Sequence, residues 1–252
     1  MTQDINTLFL DISGVLYDGD RVIPGATEAV KRFRGLNLTL RFVTNTASQT
    51  SEQILNKLHQ LGFDLSPSEL ITAPTAAKQY LQEKALRPYC LMHPQLKAEF
   101  TDLDQTEPNA VLLGDARDGL SYEALNQAFS LCKAGCPLIG IGMNKYFREG
   151  ETLKLDAGMF IKGIEWAASS PAIIMGKPSR AFFEQVIASC HCSAEQCLMV
   201  GDDVGSDVLG AIDAGLHACL VRTGKYQAGD EDGLPEHAWV IDSISDLAGK
   251  LA

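Results

Sequence analysis

Short apolar runs rich in β-branched residues alternate along the chain with longer segments whose apolar positions recur every three to four residues. The short runs lack the polar alternation of a half-exposed strand, so they read as strands buried on both faces, and the longer segments read as amphipathic helices. Strands are expected at 7–11, 38–44 and 70–72, with helices over 24–34 and 50–61 between them, the second closed by Gly62. A helix through Leu81 follows, and the pattern then restarts. Strands are expected at 88–93, 109–114 and 137–142, with helices over 122–132 and 160–168. Three last strands, at 172–175, 197–201 and 218–222, enclose helices over 179–189 and 206–214. Alternation of this kind predicts an α/β protein with a Rossmann-like parallel-sheet core.

With 252 residues and 46% hydrophobic content, the chain can bury a sizeable core. A formal charge of −11 argues against nucleic acid or an anionic membrane surface as partner, since phosphates would be repelled over most of the surface. A small anionic substrate is compatible if its site is locally positive. The polar stretch 1–6 has no signal-peptide pattern, and no apolar run approaches the roughly 20 residues needed to span a bilayer, which predicts a soluble cytoplasmic protein. Seven scattered cysteines do not form a disulfide framework and read as reduced, mostly buried thiols. Cys190-His191-Cys192 with Cys197 matches no paired C-x-x-C metal spacing. Gly140-Ile141-Gly142 lacks the third glycine of a dinucleotide loop, which argues against an oxidoreductase.

Candidate chemistry gathers where predicted strands end, the rim at which open α/β sheets bind ligands. The first strand ends in Asp11-Ile12-Ser13-Gly14-Val15 and the second in Thr44-Asn45, a hydroxyl and an amide suited to phosphate oxygens. Gly176-Lys177-Pro178 brings an ammonium to the same rim. Gly201-Asp202-Asp203, with Asp207 shortly after, supplies carboxylates of the kind that hold a hard divalent cation. Each has an ordinary alternative as a turn residue, surface lysine or helix-start acid. Together they converge on one edge of one sheet.

These four segments, in this order, resemble the haloacid dehalogenase superfamily of phosphatases over essentially the whole chain. The resemblance implies that Asp11 is the nucleophile toward phosphorus, and that Thr44 and Lys177 bind the transferring phosphoryl group, to which the Asn45 amide is expected to add a contact. It further implies that Asp11, the main-chain carbonyl of Ser13, and Asp202 hold Mg2+. The 33 positions from Asp11 to Thr44 leave no room for an inserted domain, whereas the 132 from Asn45 to Lys177 far exceed one crossover. That spacing resembles subfamily IIA, which carries an α/β (C2-type) cap between the second and third motifs. The expected organisation is a core over residues 1–76 and 171–252 with a smaller α/β cap over 77–170. The resemblance also implies a homodimer formed through the cap.

One position departs from the family pattern. Most of its phosphatases carry a second aspartate two residues after the nucleophile, which protonates the leaving group, and here that catalytic position is Ser13. A missing acid forfeits on the order of 10²–10⁴-fold in rate. Bonds whose leaving group needs no such proton should suffer less, which points to P–N or pyrophosphate bonds over alkyl phosphomonoesters. The substrate is then a phosphorylated small molecule or a phospho-amino acid. The competing readings are a phospho-accepting receiver protein, which the lid-sized insertion disfavours, and a catalytically weak or inactive member that binds phosphate or a partner.

Overall fold

The computed structural model describes residues 5–149 and 152–251. The chain divides into two compact units: one comprises the chain up to Thr44, Ser51–Ile71 and everything from Lys177 onward, and the other Asn45–Thr50 and Thr72–Gly176.

A six-stranded sheet organises the first unit, in the order Trp239–Ile241, His217–Val221, Cys197–Gly201, Thr7–Asp11, Thr39–Thr44, Leu70–Thr72. Thr7–Asp11 pairs in parallel with Cys197–Gly201 on one side and with Thr39–Thr44 on the other. All five of its residues are buried, so its apolar run has no solvent face and the absence of alternation in the sequence is explained. Leu8 and Leu10 join Leu40, Phe42, Leu198, Val200 and the helical residues Val30 and Phe33 in one cluster, while Phe9 is equally buried. Full burial of each such side chain contributes about 1.5–3 kcal/mol. The register sets Asp11 opposite Val43 and Leu10 opposite Val200. Asp11, Thr44 and the Gly201-Asp202 turn therefore leave the sheet at the same edge.

The helices obey their apolar spacing. In Ala26–Gly35 the buried residues are Ala26, Ala29, Val30 and Phe33, one face of a 3.6-residue period. That helix starts at Ala26 instead of the expected Pro24, because Gly25 intervenes with φ 78°. The helix expected over 206–214 is instead a wide π-type turn, Val204–Leu209, running into a single α-turn, Gly210–Asp213. Asp203 is the reason: its Oδ1 accepts from the N–H groups of Gly205 and Ser206, and its carbonyl accepts from Asp207 and Val208, which starts the turn early and widens it. A small antiparallel hairpin, Tyr17–Asp18 with Arg21–Val22, follows the first strand. The last strand, Trp239–Ile241, and helix Ile244–Leu251 complete this unit.

The second unit has its own four-stranded parallel sheet, in the order Ala172–Ile174, Leu138–Gly140, Ala110–Leu113, Pro88–Leu91. Helices Tyr122–Lys133 and Ala157–Ala168 share a core with it through Val111, Leu113, Ala128, Leu138, Ile161 and Ile164. Ser121 and Asp156 cap their N-termini by accepting from the N–H of Ala124 at 3.2 Å and of Ala157 at 2.7 Å. An antiparallel pair, Tyr146–Glu149 with Thr152–Leu155, belongs to the same unit. Among the described residues no helix is long and apolar enough to cross a membrane.

Candidate active site

Asp11 ends an internal strand of the six-stranded sheet, and it is only 8% exposed. Lys177 Nζ donates to its Oδ1 at 2.6 Å. The same ammonium forms an ion pair with Asp207 Oδ1 at 2.7 Å. The second Asp207 oxygen accepts from Asp203 N at 3.2 Å. Burial by itself would lower the Lys177 pKa, but the carboxylates of Asp11 and Asp207 outweigh it and raise the value, so the lysine stays charged. Burial raises Asp11 as well, with Lys177 opposing and Asp202 adding to the rise. Asp207 is pushed up to about 6, again chiefly by burial.

Asp202 follows the Cys197–Gly201 strand and is held by glycines. Gly14 has φ +85° and Gly224 φ +62°, and a Cβ on either would collide with the Asp202 carboxylate. Only glycine combines that backbone conformation with so close an approach. Lys225 N donates to Asp202 Oδ2 at 2.7 Å, and Thr223 Oγ1 donates to the Gly14 carbonyl at 2.5 Å, tying the loop after His217–Val221 to the loop after Asp11. Asp202 Oδ1, in contrast, is buried without a hydrogen-bond partner. Such an atom costs about 1–3 kcal/mol or more if left unsatisfied, and more still when charged.

Carboxylate oxygens of Asp11, Asp202 and Asp207 all lie within 4.8 Å of one another. At that distance and an effective dielectric of about 20, each pair of ionised carboxylates repels by roughly 3–4 kcal/mol. One ammonium does not balance three carboxylates. An all-oxygen donor set with an orphaned anionic oxygen fits a hard divalent cation, so the residues present suit the metal that the fold implies.

Asp11, Lys177 and Asp202 thus meet, and Thr44 sits buried one residue beyond the Asp11–Val43 register pair. Asn45 is grouped with the second unit, where its Oδ1 would contact a Cβ at Gly176. Ser13 is exposed and bridges through its backbone to Tyr17. The hairpin beyond it is pinned by Lys57, whose Nζ donates to the Gly19 carbonyl at 2.9 Å and stands 4.5 Å from the Tyr17 ring centroid. Asp207, a carboxylate that the resemblance assigns no role, is set against Lys177 by the structure. Its spacing of four from Asp203 was the available signal.

Known proteins share this chain's sequence and fold. A family model described as haloacid dehalogenase-like hydrolase matches residues 8–106, and one described as HAD-hydrolase-like matches residues 174–247. The chain is 40% identical over 228 residues to haloacid dehalogenase-like hydrolase domain-containing protein 2 of Pongo abelii, covering 90% of this chain and 88% of that one. It is 40% identical over 233 residues to phospholysine phosphohistidine inorganic pyrophosphate phosphatase of Rattus norvegicus, covering 90% and 86%. Among solved structures, 4-nitrophenylphosphatase from Thermotoga maritima superimposes with a TM-score of 0.86 at 25% identity, covering 100% of this chain and 99% of its own. With two family models matched in order and its fold shared with known phosphatases, the chain belongs to the haloacid dehalogenase-like hydrolases and is an enzyme of their phosphatase type.

Proposed function

We propose that the chain is a Mg2+-dependent phosphohydrolase working through a phospho-aspartyl intermediate on Asp11, and that it prefers P–N and pyrophosphate bonds to alkyl phosphomonoesters. The observation that carries this reading is the Lys177 ammonium 2.6 Å from an Asp11 oxygen, in a cluster where Asp202 Oδ1 has no protein partner. In the first step an Asp11 oxygen attacks phosphorus. The bond to the leaving group breaks and its electron pair departs with that group. In the second step water attacks phosphorus, the bond to Asp11 breaks, and phosphate leaves with the carboxylate restored. Lys177, Thr44 and Asn45 would hold the phosphoryl oxygens, and Asp11, the Ser13 carbonyl and Asp202 would hold Mg2+. Bound Mg2+ supplies charge neutralisation between an anionic nucleophile and an anionic substrate.

Leaving-group chemistry decides the substrate class. Ser13 replaces a carboxyl, its hydroxyl is far too weak an acid, and the raised pKa of Lys177 keeps that lysine from giving up its proton. A phosphoramidate nitrogen that already carries a proton, or the phosphate released from pyrophosphate, departs without help. The name of the Rattus norvegicus relative joins phospholysine, phosphohistidine and pyrophosphate, which supports the same preference here. The test is phosphate release with Mg2+ from imidodiphosphate, pyrophosphate, phosphohistidine and glycerol phosphate, in wild type and Asp11→Asn. The first three should be turned over faster than glycerol phosphate, and every rate should vanish in the variant. A preference for glycerol phosphate defeats the substrate class, and full activity in Asp11→Asn defeats the mechanism.

The cap role of the second unit and a homodimer formed through it belong to the same reading. Leu153, Leu155, Met159 and Trp166 of that unit expose large apolar surface, Trp166 to 86%, which a second copy would cover. Seven free thiols support work in a reducing compartment such as the cytoplasm.

A further inference from the structure

We infer that Cys192 and Cys197 form a reversible thiol–disulfide pair, oxidised by hydrogen peroxide or by a small-molecule disulfide, in the loop that leads into the Cys197–Gly201 strand. Their Sγ atoms lie 3.3 Å apart. A disulfide bond is about 2.05 Å long, so an approach of little more than an ångström joins them. The loop already has the form of a closed ring. Helix Arg180–Ala188 ends, and His191 takes a left-handed conformation at φ +53°, uncommon outside glycine, which turns the chain back on itself. Ser193 N then donates to Gln196 Oε1 at 3.0 Å around the short turn Ala194–Gln196, and Cys197 Sγ lies 3.4 Å from the Ser193 carbonyl.

The two thiols have unequal access. Cys192 is half-buried and can be reached from solvent, while Cys197 is fully buried. Burial, with Cys192 beside it, also pushes the Cys197 thiol up, so Cys192 reacts first. Arg41 stands at the same turn, with its guanidinium donating to Ser189 Oγ at 3.2 Å and to the Ser189 carbonyl at 2.9 Å. With peroxide, the Cys192 thiolate attacks one oxygen, the O–O bond breaks, hydroxide leaves, and a sulfenic acid forms. The Cys197 sulfur then displaces hydroxide from that sulfur as the S–S bond closes. Two thiols lose two electrons and two protons in all, and peroxide becomes two waters. With a small disulfide, a mixed disulfide forms on Cys192, and Cys197 displaces the second small thiol. Thiol pairs that cycle in reducing compartments commonly sense redox state.

The test uses the full reduced chain exposed to stoichiometric hydrogen peroxide, alkylated in denaturant, and cleaved after Glu195 without reductant. The expected product is a peptide pair joined through Cys192 and Cys197, two hydrogens lighter than its parts and separated by dithiothreitol. Cys192→Ser should lack it and keep Cys197 alkylatable only after unfolding, and Cys190→Ser should form it as wild type does. Recovery of Cys192 as sulfinic acid with Cys197 still a free thiol would overturn the inference, as would a cross-link through Cys190.

Discussion

Removing the divalent cation should destabilise the enzyme in a way that depends on pH. In the metal-free chain, Asp11, Asp202 and Asp207 all have raised pKa values, Asp207 to about 6, with burial the first cause in each. Between the ordinary value of 3.8 and about 6, the folded state therefore binds protons that the unfolded state has released. The contribution of these three carboxyls to the stability of the metal-free chain is thus fully present below that window and is lost as pH rises through it. Each ionised pair within 4.8 Å then adds roughly 3–4 kcal/mol of repulsion, a load that a cation relieves. At a hundred times its dissociation constant, Mg2+ stabilises the fold by about 2.7 kcal/mol. In a chain of this size that raises Tm by roughly 5–10 °C. Thermal unfolding at pH 7.5, in EDTA and in Mg2+, measures the difference. The same pair of scans at pH 5 should show a smaller gap, because protons compete for the same oxygens. Asp202→Asn should lose most of the Mg2+ response while its metal-free Tm holds or rises, one charge having gone. Equal Tm values with and without Mg2+ at pH 7.5, or an undiminished response in Asp202→Asn, refute the reasoning.

Three further outcomes are expected. Ser13→Asp should raise turnover of glycerol phosphate by about 10²-fold or more by restoring a positioned acid, and an unchanged rate would show that the missing acid does not limit it. Lys177→Met should cost about 3–5 kcal/mol in urea unfolding, since it strands two buried carboxylates, and adding Asp207→Asn should recover part of the loss; a Lys177→Met protein as stable as wild type would mean that the ion pairs hold nothing together. Wild type should sediment as a dimer at micromolar concentration and Trp166→Glu as a monomer, whereas a monomeric wild type rules out the apolar face as a self-association surface.

Much of the architecture was legible because burial on both faces leaves an unmistakable signature. Thr7–Asp11 and Cys197–Gly201 carry no polar alternation, and they fall at the bounds their apolar runs predict. Two-residue strands such as Tyr17–Asp18 are too short to show any period, so the hairpin they make has no strand signature in the sequence. Trp239–Ile241 and Ile244–Leu251, brief elements after a polar loop, leave little periodic signal as well. At the site, the sequence identifies residues that follow strands, which is why Asp11, Lys177 and Asp202 could be named. It does not reveal which carboxylate an ammonium will face. Asp207 lies in a turn widened by the Asp203 hydrogen bonds, and an ordinary helix through 206–214 would have aimed it elsewhere. The mutual approach of Gly14 and Gly224 beside Asp202 leaves no local mark in the sequence, since it joins positions more than 200 apart.

Hybrids built from this chain and a relative will succeed or fail at that glycine clasp. Residues 14, 202 and 224 come from three separate segments, yet none tolerates a change that the other two do not accommodate. A crossover placed between 202 and 224 must import a donor segment with hydrogen in place of a side chain at 224, or the carboxylate is driven out of position. The second unit sets a like condition of its own: a Cβ at Gly158 would meet the carbonyl oxygens of Asn144 and Met143, so a crossover between 144 and 158 must also import hydrogen at 158.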